Sequence, residues 1–133
     1  MSAAQTTDLS DDTGWSVAGE FLEALARRDF QAMHDCLDPA VHFRALVPPG
    51  VLDLTGAAET IERLHLWFGE HDVVEVVDAA IGSLGPQIYL RWRIRRGHAD
   101  DPGSFQVVEQ HAFASIGERI ETIDLLCSGF RAE

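Results

Sequence analysis

Lysine is missing from this chain: its ten basic side chains are all arginine, set against 22 Asp and Glu for a formal charge of -12. Such an imbalance repels a phosphate backbone, so nucleic acid is not expected as a partner. Cysteine is scarce, and Cys36 and Cys127 lie far apart, which supports free, mostly buried thiols rather than a disulfide framework. No uninterrupted apolar run approaches the roughly 20 residues of a membrane helix. The opening residues have no basic start followed by an apolar stretch, so no secretory signal is expected and a cytoplasmic location is. The six histidines lack the spacing of a zinc site, and the two cysteines form no paired motif; neither metal nor cofactor is expected.

What is present is a 133-residue chain with 46% hydrophobic residues, enough for one core and too short for two ordinary domains. Residues 1–12 read as a flexible tail and 13–133 as a single domain. Asp12 or Thr13 is placed to cap a first helix running to about Arg28, with Val17, Ala18, Phe21, Leu22 and Leu25 on one stripe. Asp29 caps a short second helix that Pro39 stops. Val41–Val47 and Val51–Leu54 read as strands joined by a bent turn, and Thr55-Gly56 opens a third helix ended by Gly69. Beyond it, 71–84, 87–96, 104–116 and 119–130 read as strands separated by turn residues, which favours an antiparallel meander. Three helices followed by a long sheet have one economical arrangement, with the helices on one face of the sheet and a pocket between.

This order of elements resembles the nuclear-transport-factor-2-like superfamily, in particular its SnoaL-like and ketosteroid-isomerase-like branch. The resemblance spans about residues 15–130. It is carried by Phe21-Leu-Glu-Ala-Leu-Ala-Arg-Arg-Asp-Phe30, by Leu37-Asp-Pro-Ala-Val-His-Phe43, by the helix start at Gly56 and by Gly117-Glu-Arg-Ile-Glu-Thr-Ile-Asp124. It implies an α+β fold, a cone-shaped curved and mostly antiparallel sheet packed against three N-terminal helices and enclosing a pocket. It also implies a homodimer formed through the exposed sheet face. Members of this superfamily place a carboxylate on the last strand, and Asp124 is the matching position, although a shift of one residue would send it to the other face. Arg91-Trp-Arg93 lacks the carboxylate of the hydrolase arrangement, and the only tyrosine, Tyr89, shares strand phase with the arginines.

Glu109 and His111 stand two apart on one strand, so both project from the same face along with Phe105 and Phe113. On a pocket-lining face they form an acid/base pair able to abstract a proton next to a carbonyl; on the outer face they are a satisfied polar pair. In 87–96, Ile88, Leu90, Trp92 and Ile94 face the core, leaving Tyr89, Arg91, Arg93 and Arg95 on the other side. The resulting expectation is a protein that binds a small apolar molecule. As an enzyme it is a cofactor-independent isomerase or cyclase acting on an apolar or polycyclic carbonyl compound, with catalytic Glu109, His111 and Asp124 and pocket walls of Phe43, Trp67, Trp92 and Phe105. The alternative is a non-catalytic ligand-binding or dimeric adaptor domain.

Overall fold

The computed structural model describes the backbone of residues 2–48 and 50–133 and the side chains of 14–48 and 50–133. Three helices, α1 (Ser2–Arg27), α2 (Phe30–Cys36) and α3 (Ala57–Phe68), accompany strands β1 (Leu37–Val47), β2 (Gly50–Thr55), β3 (Val73–Leu84), β4 (Gln87–His98), β5 (Asp101–Ile116), β6 (Ile120–Cys127) and β7 (Arg131–Ala132). The helical backbone of α1 begins at Ser2. The cap expected of Asp12 or Thr13 and the tail expected over 1–12 lie outside the described side chains.

Ala18, Phe21, Ala24 and Leu25 form the buried stripe of α1. The helix stops because Arg28 adopts a left-handed φ of 54°. Its N–H then reaches Leu25 O and the N–H of Asp29 reaches Ala24 O, the paired bonds of a Schellman end. The Arg28 guanidinium donates to the carbonyls of Phe68, His71 and Asp72, tying the end of α1 to the end of α3. Asp29 caps α2 by accepting from Ala32 N at 3.0 Å, as the sequence predicts. Pro39 does not stop that helix. Leu37 is already extended at φ -96°, ψ 139°, two residues ahead of Pro39, which lies inside β1; the extended backbone that a proline imposes on the residue before it, Asp38, suits the strand that has already begun.

The sheet order is β2-β1-β6-β5-β4-β3, with β7 paired to β5. β3 to β6 form the expected antiparallel meander, and β1 joins β6 in parallel, so the sheet is mixed. Bulges between Val76 and Asp78 on β3 and between Arg96 and His98 on β4 bend the long strands. α1 packs over β3 and β4 and α3 over β1 and β2, covering one face. Phe21 meets Trp92 at 6.3 Å between ring centroids, and Phe43 meets Trp67 at 6.3 Å. Strand phase follows from this packing: Ile88, Leu90, Trp92 and Ile94 are buried inward, as their alternation predicts.

Candidate functional site

Along the fully buried inward stretch of β5 from Val108 to Ala114 the polar residue is Gln110, which is 0% exposed. Its Oε1 accepts from the Trp92 indole N–H at 2.7 Å, and its amide donates to Cys127 Sγ at 3.2 Å. Both ends of a buried amide are thereby satisfied. Because side chains alternate along a strand, an inward Gln110 obliges Glu109 and His111 to face outward.

On that outer face His111 Nε2 lies 2.8 Å from Glu109 Oε2, and its Nδ1 is in hydrogen-bond contact with the Tyr89 hydroxyl. Arg93 completes the chain with Nη2 at 2.7 Å and Nε at 3.1 Å from Glu109 Oε1. The hydrogen bond from His111, then the one from Arg93, hold the Glu109 carboxyl below its usual range. An ionised carboxylate only accepts, so Nε2 of a neutral His111 carries the proton and Nδ1 accepts from Tyr89. The arrangement orients an imidazole and can pass a proton between tyrosine and histidine. Asp124 is separate from it, held by Arg44 through bonds of 2.7 and 2.9 Å.

The strand registers arrange this outer face in cross-sheet rows. One runs Val51, Leu46, Leu126, His111, Arg91, and the next runs Asp53, Arg44, Asp124, Phe113, Tyr89. Leu46, Val51 and Leu126 are 54%, 72% and 49% exposed and border an apolar groove of about 370 Å3 floored by Phe113. Ion pairs flank it: Arg44–Asp124, Arg91–Asp78, Arg93–Glu109 and Arg95–Glu133.

A different cavity, of about 430 Å3, opens on the helix side of the sheet. It lies between α3, the β1–β2 hairpin and the segment after β6, where Gly129 takes a φ of +81° and turns the chain so that Phe130 packs edge-on against Phe68. Leu52, Trp67 and Phe130 form its apolar walls, while Arg63, Cys127 and Ser128 supply its polar side chains. Arg96 presses on two of these walls from outside the cavity lining, with its guanidinium 3.3 Å from the Phe130 ring centroid and Nη1 donating to Trp67 O at 2.7 Å.

Of the residues singled out in the sequence, Glu109 and His111 are brought together, while Asp124 stands apart, and all three face away from this cavity. Trp67 lines it. Phe43 and Trp92, at 1% and 2% exposure, are packed in the core beside it. Phe105 is on the outer face beneath the Arg95 guanidinium, and it covers Gly97, where a Cβ would come within 2.3 Å of its ring. Sequence reasoning passed over Arg63 and Phe130. Arg63 had a usable signal, since it lies one helical turn before Trp67 and shares its face. A polar Gln110 in an apolar phase was a second signal, one that fixes which way β5 faces.

No family model matches the chain, and no curated protein is similar to it in sequence. Solved structures are similar in fold. A candidate polyketide cyclase from Xanthomonas campestris aligns with a TM-score of 0.69 and 17% identity, over 86% of this chain and 90% of that one. An NTF2-like protein of unknown function from Cytophaga hutchinsonii aligns at 0.62 and 18%, over 89% and 98%. A candidate ketosteroid isomerase from Kribbella flavida aligns at 0.66 and 13%, over 87% and 78%. The fold is therefore the α+β cone of the NTF2-like proteins, with an open mixed sheet.

Proposed function

We propose that this chain, built on the NTF2-like fold, is a small-molecule-binding domain that holds a largely apolar ligand between α3, the β1–β2 hairpin and residues 127–130, and that it acts as a homodimer through its outer sheet face. The observation that carries the reading is the cavity of about 430 Å3 with Trp67 and Phe130 in its walls, a size within the range of ligand sites. Among the described residues its lining contains no carboxylate and no histidine, which favours binding without turnover. The homodimer is supported by Leu46, Val51 and Leu126, a contiguous exposed apolar row of the kind that marks an interface. The fold neighbours include proteins described as a candidate cyclase and a candidate isomerase, which supports a pocket-bearing domain here as well.

A second reading is acid/base turnover of a carbonyl compound, isomerase-like or cyclase-like, with Glu109, His111 and Asp124 as the reacting groups. What favours it is the continuous Tyr89–His111–Glu109–Arg93 chain. In that case the reacting site is on the outer face, covered by the second subunit, and the helix-side cavity is incidental.

The test titrates the protein with 2-acetonaphthone, a neutral bicyclic ketone, and follows tryptophan fluorescence. Trp67→Ala is expected to weaken binding at least tenfold and Glu109→Gln to change it less than twofold. Sedimentation is expected to find a dimer that Leu126→Arg dissociates. Loss of ketone binding in Glu109→Gln with retention in Trp67→Ala would overturn the binding reading in favour of the outer-face site.

A further inference from the structure

The arginines of this chain are mostly committed. Five pair with carboxylates, as Arg27–Glu23, Arg44–Asp124, Arg91–Asp78, Arg93–Glu109 and Arg95–Glu133. Arg28 is occupied by three backbone carbonyls. Among the described residues the other arginines make no carboxylate pair, and two of them meet at the helix-side cavity, Arg63 in its lining and Arg96 just outside it.

Arg63 projects from α3 into the cavity lining, and among the described residues its side chain makes neither an ion pair nor a hydrogen bond. Arg96 is half-buried and bonded only to neutral acceptors, Gln106 Oε1 at 2.9 and 3.1 Å and Trp67 O at 2.7 Å. Burial lowers its pKa, the response of a cation desolvated without a counter-ion. Among the described residues no acidic side chain lines the cavity to balance either charge. The walls meanwhile are Trp67, Phe130, Leu52, Val47 and Pro48, which offer nothing to a small hydrated ion.

Positive charge at a cavity that also has apolar walls selects a ligand with the complementary division. We infer that the ligand is an apolar carboxylic acid, its ring or branched hydrocarbon body against Trp67 and Phe130 and its carboxylate on the Arg63 guanidinium. The fork of that guanidinium matches a carboxylate in two parallel N–H···O bonds. Arg96 acts as a positioning residue: it holds the Phe130 ring and the Trp67 carbonyl and adds positive potential behind them. The volume of about 430 Å3 equals that of roughly fourteen water molecules at ~30 Å3 each, room for a bicyclic or smaller acid.

This inference rests on the cavity reading above, and a matched pair of probes separates the two. 2-Naphthoate and 2-naphthamide have nearly the same shape and differ in charge. Each is titrated into the purified protein at pH 7.5 by calorimetry, and the ratio of their dissociation constants is the readout. The wild type is expected to prefer naphthoate at least tenfold, and Arg63→Gln to bring the ratio within twofold of unity. Thermal denaturation confirms that the variant is folded. Equal binding of both probes to the wild type would overturn the anion inference and leave the cavity reading standing. Binding of neither would overturn both. A tenfold preference that survives Arg63→Gln would overturn the assignment of Arg63.

Discussion

Gln110 offers the most direct check on which face of β5 looks inward, and Gln110→Met is the perturbation. Methionine keeps the length and volume of the side chain but removes the acceptor for the Trp92 indole N–H, a bond of 2.7 Å between two buried groups. An orphaned buried donor costs about 1–3 kcal/mol, more than the net worth of the bond itself. The weak donation from the amide to Cys127 Sγ at 3.2 Å is lost as well and adds little. A loss of about 2 kcal/mol is therefore expected from urea denaturation with an unchanged m-value. With ~2.1 cal/mol/K of unfolding entropy for each of 133 residues, that loss lowers Tm by about 7 °C. In a Trp92→Phe background there is no N–H to orphan, so the same change should cost far less, a coupling of about 1–2 kcal/mol. A cost below about 0.5 kcal/mol, or additivity in the double variant, would refute the inward placement of Gln110. The outward placement of Glu109 and His111 would fall with it, because strand neighbours face opposite ways.

Two further predictions concern ionisable groups. Burial, then Glu20 and Asp35, push the Cys36 thiol up to about 11, so at pH 8 only about a thousandth of it is thiolate, while Cys127 lines the cavity. The native protein should release one equivalent of thionitrobenzoate from Ellman's reagent rapidly and a second only in denaturant; a rapid phase that disappears in Cys36→Ser would contradict this. Glu109 has a folded pKa held below the carboxylate reference of 4.5, so its contribution to stability is present above that value and lost as pH falls through the lower folded one. The Tm difference between wild type and Glu109→Gln should be steady near neutral pH and shrink below about 4.5; a difference unchanged down to pH 3 would remove the ion pairs from the account.

Much of the fold was legible because local signals agreed with the final packing. The stripe of α1, the Asp29 cap and the alternation of 87–96 each have a single physical reading, and the structure contains all three. The boundaries were less legible where tertiary pairing extends an element beyond its local signal. β1 starts at Leu37 rather than Val41 because Leu37 pairs with Ile120 of a strand more than eighty residues away. The same long-range parallel pairing makes the sheet mixed, and nothing within either strand announces it. The site was least legible. Glu109 and His111 were drawn together by their spacing, and spacing fixes that two residues share a face without fixing which face. Arg63 and Phe130 meet at one cavity only through the turn at Gly129, a distance of 67 positions that no local pattern spans.

The charge of the whole chain and the charge of the cavity point in opposite directions, and distance decides between them. A net -12 repels an approaching anion at long range. At physiological ionic strength that field decays over about 8 Å, so most of the 22 carboxylates are screened from a ligand already in the cavity. Arg63 lies at contact distance, where desolvated walls weaken screening rather than strengthen it. The outer face works differently, since its arginines are paired with carboxylates on the same sheet and present little net field beside the apolar row of Leu46, Val51 and Leu126. In the proposed homodimer, a surface neutral in this way would bring two highly acidic subunits together where their repulsion is locally offset. Under the proposed binding, the helix-side cavity keeps the Arg63 guanidinium for the ligand's carboxylate.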